Sequence, residues 1–219
     1  MCAIFGSNNL SHFVRLYLNN KNRGSFSFGA TVISNRDVYT YKCAETRDML
    51  DLLQSYTGTS HYFLGHLQAP TSADRNVNEQ TIHPFEYGKY LVAHNGVLTN
   101  FNEILKEFDF NNHESLVDSS IIPRLLDFYS NNNTEVEALS KTFSKLKGTF
   151  STWCVNKETQ DVYICRLSST LFYDSNFFTS VKYGYMKELP EMQIYKLDRN
   201  NNTFDKVGEF AGNSHFFTL

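Results

Sequence analysis

The chain has 219 residues, a formal net charge of −3 and a pI of about 6.2. It has no basic cluster to favour nucleic acid, no apolar run long enough to span a membrane and no secretory signal. We therefore expect a cytoplasmic protein with no nucleic-acid and no membrane partner. A hydrophobic fraction of 41% with 15% aromatic residues favours one strand-rich domain over residues 1–219.

The first half of the chain alternates between strand and helix signals. Residues 3–5 predict a short buried strand, and residues 10–18 a helix that ends near Gly24. Residues 26–34 and 38–44 predict a β-hairpin, and residues 46–56 a helix. Residues 62–67 predict a strand, followed by a polar loop at 72–80 and a strand at 89–93. His94-Asn95-Gly96 predicts a tight turn at the end of that strand.

The second half passes from helices to strands. Residues 100–108 predict a short helix, and a longer one begins at Asp118-Ser119-Ser120, runs to 129 and carries Pro123 in its first turn. A third helix runs from a cap at Thr134 to 146 and stops at Gly148. The later strand-like runs are 149–155, 161–167, 171–173, 177–181, 193–197 and 203–210. This order predicts an α+β architecture of antiparallel sheets with helices packed outside.

The four cysteines divide into one exceptional and three ordinary positions. Cys43, Cys154 and Cys165 lie in strand-like runs, form no CxxC pair and predict buried, reduced thiols, so we expect no metal and no cofactor. Removal of Met1 would give Cys2 a thiol beside a free α-amine, whose pKa of about 7.7–8.0 suits a base for a nucleophile. By itself, Cys2 is better explained as a packing residue.

Four separated segments carry polar groups at predicted strand ends: Cys2, then residues 65–71 (GHLQAPT), 93–100 (AHNGVLTN) and 117–122 (VDSSII). In this order they resemble the glutaminase domain of class II glutamine amidotransferases, whose pattern is MCGIxG, GHxRxxT, HNGxIxN and D(S/T)ExI. The resemblance covers nearly the whole chain. It implies an N-terminal-nucleophile hydrolase with a four-layer αββα sandwich. Ala3, Gln68 and Ser120 depart from the pattern.

The resemblance also implies a chemistry. Cys2 would attack the side-chain amide of glutamine, with the Asn95 side chain and the Gly96 N–H as oxyanion donors, and the thioester would be hydrolysed to glutamate. Asp118 would accept hydrogen bonds from the substrate's α-ammonium while also capping its helix. Thr71 would help to hold the substrate carboxylate. His66 and His94 are expected to be structural.

Gln68 stands where the family has an arginine that binds the substrate α-carboxylate. A glutamine donates only a neutral hydrogen bond, so either another cation replaces the arginine, with Arg75 and Arg47 as candidates, or the substrate lacks that carboxylate. An amidase for another amide and a catalytically idle, partner-binding copy therefore remain open. Retention of Met1 would favour the idle copy.

The expected ligand is thus glutamine or a related small amide. No nucleotide-binding motif is visible, and the chain ends at Leu219, where larger family members continue into an acceptor domain. The expected partner is a separate ammonia-accepting synthetase or transferase.

Overall fold

A computed structural model describes residues 1–34, 37–44, 60–69, 78, 80–110, 115 and 117–212. The strands in these ranges are β1 Ala3–Ser7, β2 Ser27–Ser34, β3 Val38–Cys43, β4 Ser60–Gln68, β5 Phe85–Tyr87, β6 Tyr90–Leu98, β7 Gly148–Asn156, β8 Val162–Leu167, β9 Phe172–Asp174, β10 Phe177–Thr179, β11 Lys187–Glu188, β12 Gln193–Asp198 and β13 Thr203–Glu209. The helices are α1 Leu10–Asn20, α2 Phe101–Glu107, α3 Ile121–Ser130 and α4 Glu135–Lys145, with a 3₁₀ turn at Asp118–Ser120 before α3.

The strands form two antiparallel sheets. Sheet A has the order β11-β9-β10-β1-β4-β2-β3, and sheet B has the order β13-β12-β8-β7-β6-β5. The central strand β1 lies between β10 and β4, with Ile4 opposite His66. In sheet B, β6 pairs with β7 along its whole length. The predicted α+β architecture is confirmed.

The side chains of the central strands β1 and β7 alternate between two apolar layers, so that the molecule is stacked in four layers. Ile4 of β1 packs with Trp153 of β7 between the sheets, whereas its neighbour Phe5 packs against Phe13 of α1. On the outer face of sheet B, Phe150 packs with residues of α3 and α4. Successive side chains of a strand point to opposite faces of the sheet. One strand therefore supplies apolar residues both to the layer between the sheets and to the layer between its sheet and the helices. The order α1, sheet A, sheet B, α3 and α4 confirms the αββα sandwich.

Two of the described helices, α1 and α4, begin at positions capped by a side chain. The Asn9 side chain accepts a hydrogen bond from the His12 N–H (2.9 Å) at the start of α1. Thr134 and Glu137 form a reciprocal capping box at the start of α4. Within the described ranges, no helix is both long enough and apolar enough to cross a membrane.

Most predicted elements are present, but two local predictions are wrong. His94-Asn95-Gly96 is not a turn, since β6 continues through it to Leu98. Gly148 does not end a helix: α4 ends at Lys145, and Gly148 is the first residue of β7. The short strands β5 and β11 were not predicted. The helix predicted over 46–56 lies outside the described residues.

The cysteines form no disulfide with one another. Cys154 and Cys165 are buried as predicted, and burial raises the pKa of both thiols, so neither is a nucleophile at neutral pH. Cys43 is only half-buried, which corrects the expectation of burial, because it ends the outermost strand of sheet A.

Trp153 joins the two sheets, because its fully buried indole N–H donates to the Gly65 carbonyl of β4 (3.1 Å). We predict that Trp153→Phe lowers the free energy of unfolding by about 2 kcal/mol, through lost volume and a lost donor. Urea unfolding measures this. Tyr185→Phe, at a fully exposed position, is the control and should change stability by less than about 0.5 kcal/mol. Equal stabilities of the two variants would contradict a stabilising contact between the sheets at Trp153.

Candidate active site

A cavity of about 440 Å³ opens where the start of β1 meets the distal half of β6. The predicted nucleophile Cys2 and the predicted oxyanion donors Asn95 and Gly96 line it together. The remaining lining residues are Met1, Arg23, Ala69, Val97, Thr149, Ser168, Ser169 and Thr170. Cys2 and the adjacent pair Asn95-Gly96, which are far apart in sequence, are thus brought to one cavity.

Gly96 follows a backbone path that only glycine adopts easily. Its φ is +153°, and it pairs with Phe150 of β7 while Asn95 pairs with Ser151. A Cβ at this position would overlap the Thr149 carbonyl oxygen. The close approach of β6 to β7, rather than a turn, therefore requires glycine here.

The side-chain amide of Asn95 is surrounded by serine hydroxyls. Its Nδ2 lies 3.3 Å from Ser151 Oγ, 3.4 Å from Ser169 Oγ and 3.3 Å from Ser180 Oγ. Asn95 is almost fully buried, and the Ser169 hydroxyl also donates to its backbone oxygen (3.1 Å). The amide is therefore held from several sides by β7 and by the residues that follow β8 and β10.

Two buried histidines lie beneath the cavity. His66 Nε2 donates to the His94 carbonyl oxygen (3.0 Å), and burial lowers the pKa of His66 to about 3. His94 Nδ1 lies 2.7 Å from Ser119 Oγ. Burial also lowers the pKa of His94, although the nearby Asp118 partly opposes this. His66 is thus neutral at pH 7. The His66 imidazole bonds to the backbone of β6, the His94 imidazole bonds to the Ser119 hydroxyl and the Thr149 carbonyl, and neither histidine lines the cavity.

Asp118 accepts three hydrogen bonds from the protein itself. Its Oδ2 accepts from the Leu98 N–H (2.7 Å), and its Oδ1 accepts from the Ser119 N–H (2.8 Å) and hydroxyl (3.1 Å). A carboxylate has about four lone-pair sites, so roughly one acceptor position remains. The carboxylate ties the end of β6 to the start of α3 and is not among the residues that line the cavity.

Gln68 turns away from the cavity. It is 1% exposed, and its Oε1 accepts a hydrogen bond from the Ser27 hydroxyl (2.8 Å). Ala69, its neighbour, lines the cavity instead. Thr71 and Arg75, the other predicted substrate-binding residues, and the candidate cation Arg47 lie outside the described residues.

Arg23 is a cavity residue that the sequence analysis missed. Its guanidinium donates to the Thr170 hydroxyl and to the Ser180 carbonyl, both at 3.0 Å, and it approaches Met1 Sδ at 3.7 Å. Burial lowers the pKa of Arg23 and Cys2 acts in the opposite direction, but the group stays cationic at neutral pH. In this part of the sequence we used only the neighbouring Gly24, as the expected end of the helix over residues 10–18.

Other regions of the described structure offer less chemistry. A shallow groove of about 560 Å³ near the β12–β13 hairpin is larger than the Cys2 cavity, but its lining holds no nucleophile and Lys196 there is paired with Asp161 at 2.8 Å. Among the described residues, no group of three or more His, Cys, Asp or Glu side chains is arranged to hold a metal ion.

The fold and the cavity define a class. Two antiparallel sheets between helical layers, with a cysteine at the start of a central strand and an Asn-Gly pair opposite it, form an N-terminal-nucleophile-hydrolase-like sandwich. The B. subtilis glutamine phosphoribosylpyrophosphate amidotransferase has the same fold, with a TM-score of 0.72 and 14% identity over 94% of this chain and 49% of that one.

Sequence comparison gives the family. A family model described as "Glutamine amidotransferase domain" matches residues 67–175. The chain is 28% identical to 7-cyano-7-deazaguanine synthase of Saccharolobus solfataricus over 81% of its own length. It is 24% identical to the amidophosphoribosyltransferase of Methanocaldococcus jannaschii over 94%. It spans only 40% and 51% of these two relatives. The chain belongs to the class II glutamine amidotransferases.

The close β6–β7 approach yields a stability prediction. Gly96→Ala should lower the free energy of unfolding by about 3 kcal/mol or more, because an overlap with backbone adds to a strained φ. Gly184→Ala is the matched control: Gly184 has φ +62° but no atom within 4 Å of an added Cβ. We expect about 1–2 kcal/mol there, from strain alone. Equal losses in urea unfolding would show that the β7 contact does not require glycine.

Proposed function

We propose that this chain is a glutamine-hydrolysing domain in which Cys2, exposed by removal of Met1, releases ammonia for a separate acceptor enzyme. The observation that carries the proposal is the shared cavity of Cys2, Asn95 and Gly96. A thiol, a side-chain amide and a glycine backbone are the parts that amide cleavage through a thioester requires. Membership of the amidotransferase family supports glutamine as the amide.

The steps follow from these groups. The Cys2 thiolate attacks the amide carbon, and the carbonyl oxygen becomes an anion that accepts hydrogen bonds from the Asn95 amide and the Gly96 N–H. One such donor typically contributes about 3–4 kcal/mol to the transition state. The amide nitrogen leaves as ammonia once it has gained a proton, and water then cleaves the thioester to give glutamate and the free thiol.

The base in this proposal is the α-amine of Cys2. The described lining of the cavity contains no His, Asp or Glu side chain. His66 and His94 are buried, have lowered pKa values and are bonded to backbone. Met1 occupies the α-nitrogen of Cys2 in a peptide bond, so the proposal requires its removal. The free amine then takes the thiol proton, through a water, and returns it to the departing ammonia.

The proposed substrate contacts extend beyond the cavity lining. Asp118 retains about one acceptor position for the α-ammonium of glutamine. Thr71 and Arg75 remain proposed contacts to the carboxylate end. We assign Gln68 at most a neutral hydrogen bond there, because its oxygen is already bonded to Ser27.

Arg23 offers the positive charge that Gln68 lacks. Among the described residues that line the cavity, it is the cationic one. Among the described residues, its Nη2 hydrogen-bonds only to the Met1 sulfur (3.7 Å), a neighbour that the proposed processing removes. We therefore propose that Arg23 provides the charge that attracts the substrate carboxylate.

A second candidate is an amidase whose substrate has no α-carboxylate, and the observation that favours it is the buried Gln68–Ser27 bond at the family's arginine position. The two candidates share Cys2, Asn95 and Gly96 and differ only in the substrate's charge. They are separated by the Arg23 experiment below.

The acceptor of ammonia is proposed from the relatives. The curated relatives carry the names of a synthase and a phosphoribosyltransferase, and the chain spans about half of their length or less. Ammonia made in this cavity would need an acceptor site next to it. We propose a separate synthetase or transferase that binds at the cavity mouth.

Covalent labelling tests the nucleophile. Treatment with a diazoketone analogue of glutamine should add one label to Cys2 in protein that has lost Met1, as read by intact and peptide mass. Cys2→Ala should take none, whereas Cys43→Ala should label like the wild type, since it leaves the cavity intact. A label on another residue, or a labelled chain that retains Met1, would contradict the proposed mechanism.

Substitution of Arg23 tests the substrate charge. Arg23→Met should raise the KM for glutamine by about 10- to 100-fold, as expected when a charge-assisted hydrogen bond is lost, with less effect for Arg23→Lys. The KM for an amide that lacks the α-carboxylate should stay within about threefold in both variants. An equal rise for both substrates would assign Arg23 a structural role. A wild-type preference for the carboxylate-free amide would favour the second candidate.

A further inference from the structure

Ser180, the residue directly after β10, connects the three parts of the proposed site. Its backbone N–H donates to the Ile4 carbonyl, and its hydroxyl oxygen accepts from the Ile4 N–H, both at 2.9 Å. Its carbonyl accepts from Arg23 and from Thr170, both at 3.0 Å. Its hydroxyl also lies 3.3 Å from Asn95 Nδ2. One residue, 1% exposed, thus touches the nucleophile's strand, the cavity cation and the oxyanion amide.

In the orientation seen in the structure, the Asn95 side-chain amide cannot donate to an oxyanion. Three hydroxyl oxygens, of Ser151, Ser169 and Ser180, surround Nδ2 at 3.3–3.4 Å. An amide nitrogen has only two hydrogens. With Nδ2 directed into this group of hydroxyls, both N–H bonds are used within the protein and none remains for an oxyanion.

The same hydroxyls can hold the other end of the amide. A serine hydroxyl is both donor and acceptor, so the group can donate to Oδ1 as readily as it accepts from Nδ2. The two ends of the amide have nearly the same size, so a half-turn about χ2 requires no repacking. That turn places Oδ1 among the hydroxyls and releases both Nδ2 hydrogens.

Ser180 is the hydroxyl best placed to favour this turned state. The Ser169 hydroxyl already gives its proton to the Asn95 backbone oxygen (3.1 Å), and Ser151 has the same acceptor at 3.5 Å. The Ser180 oxygen is engaged as an acceptor by the Ile4 N–H. Within the described part of the chain, its own proton has no acceptor other than this amide, and only Oδ1 can accept it.

We propose that Ser180 is a positioning residue that donates to Asn95 Oδ1 and thereby directs the Asn95 N–H groups to the developing oxyanion. This inference rests on the proposed amide hydrolysis and adds to it the residue that sets the oxyanion donor. Ser180 acts through Asn95 and does not itself touch the substrate. Ile4 lies two residues from Cys2 and donates to the same hydroxyl. Ser180 therefore also fixes the position of Asn95 relative to the strand that carries Cys2.

Two reactions of Cys2 separate this role from a structural one. Alkylation by iodoacetamide develops no oxyanion, whereas glutamine hydrolysis does. Ser180→Ala should lower kcat for glutamine by about 10- to 100-fold, as for a misplaced oxyanion donor, with KM changed less than about threefold. Alkylation of Cys2, located by peptide mass, should keep its rate within about threefold.

The control is Ser34→Ala, which removes another buried serine hydroxyl of sheet A, bonded to Asp37 in the β2–β3 hairpin. Both rates should match the wild type. Ser180→Thr keeps the donor and should retain hydrolysis within about threefold. It decides the question if Ser180→Ala does not fold, since loss of hydrolysis in a folded Thr variant with normal alkylation would then overturn the proposal.

The remaining outcomes are also decisive. Equal losses of alkylation and hydrolysis in Ser180→Ala would make Ser180 a structural residue and overturn the assignment. Wild-type hydrolysis in Ser180→Ala would overturn it while leaving the proposed function intact. A processed wild-type chain that alkylates but never hydrolyses glutamine would overturn the proposed function, and this assignment with it.

Discussion

The site depends on the face-to-face packing of sheet A on sheet B. Two hydrogen bonds cross between the sheets at neighbouring residues of β4: Trp153 donates to the Gly65 carbonyl (3.1 Å), and His66 donates to the His94 carbonyl (3.0 Å). Because β1 pairs with β4, and His94 lies directly before Asn95, these bonds set Cys2 opposite the oxyanion residues. A shift of either sheet would open the cavity and separate the thiol from its donors.

Burial leaves the surroundings of the cavity with few charges. His66 is held neutral by a pKa lowered to about 3, and burial lowers the pKa of His94 as well. The cation that faces the cavity is Arg23, fixed between Thr170 and Ser180. Arg23 is partly buried, so water screens its charge less than that of a fully exposed arginine, and it attracts an anion that enters the cavity. This arrangement suits a ligand with a carboxylate and a neutral amide.

The order of strand and helix signals in the sequence predicts antiparallel sheets with helices outside them, and the resemblance implies the four-layer stacking. The sequence also indicates, through this resemblance, that Cys2, Asn95 and Gly96 belong to one site. The structure brings these three residues to one cavity. It failed where a distant strand overrides a local signal: Asn-Gly is typical of a turn, but pairing with β7 keeps it extended. Arg23 was missed because its partners lie about 150 residues away, as only the fold shows. Thr71 and Arg75 remain predictions.

The central claim is that Cys2, with its own amine as base, hydrolyses the amide of glutamine. The most direct measurement follows glutamine carrying ¹⁵N in its side-chain amide by NMR, with the processed chain and with Cys2→Ala. The account predicts equal amounts of ¹⁵N-ammonium and glutamate from the wild type, and neither above background from the variant. No difference between the two proteins, with Met1 shown to be removed, would contradict it.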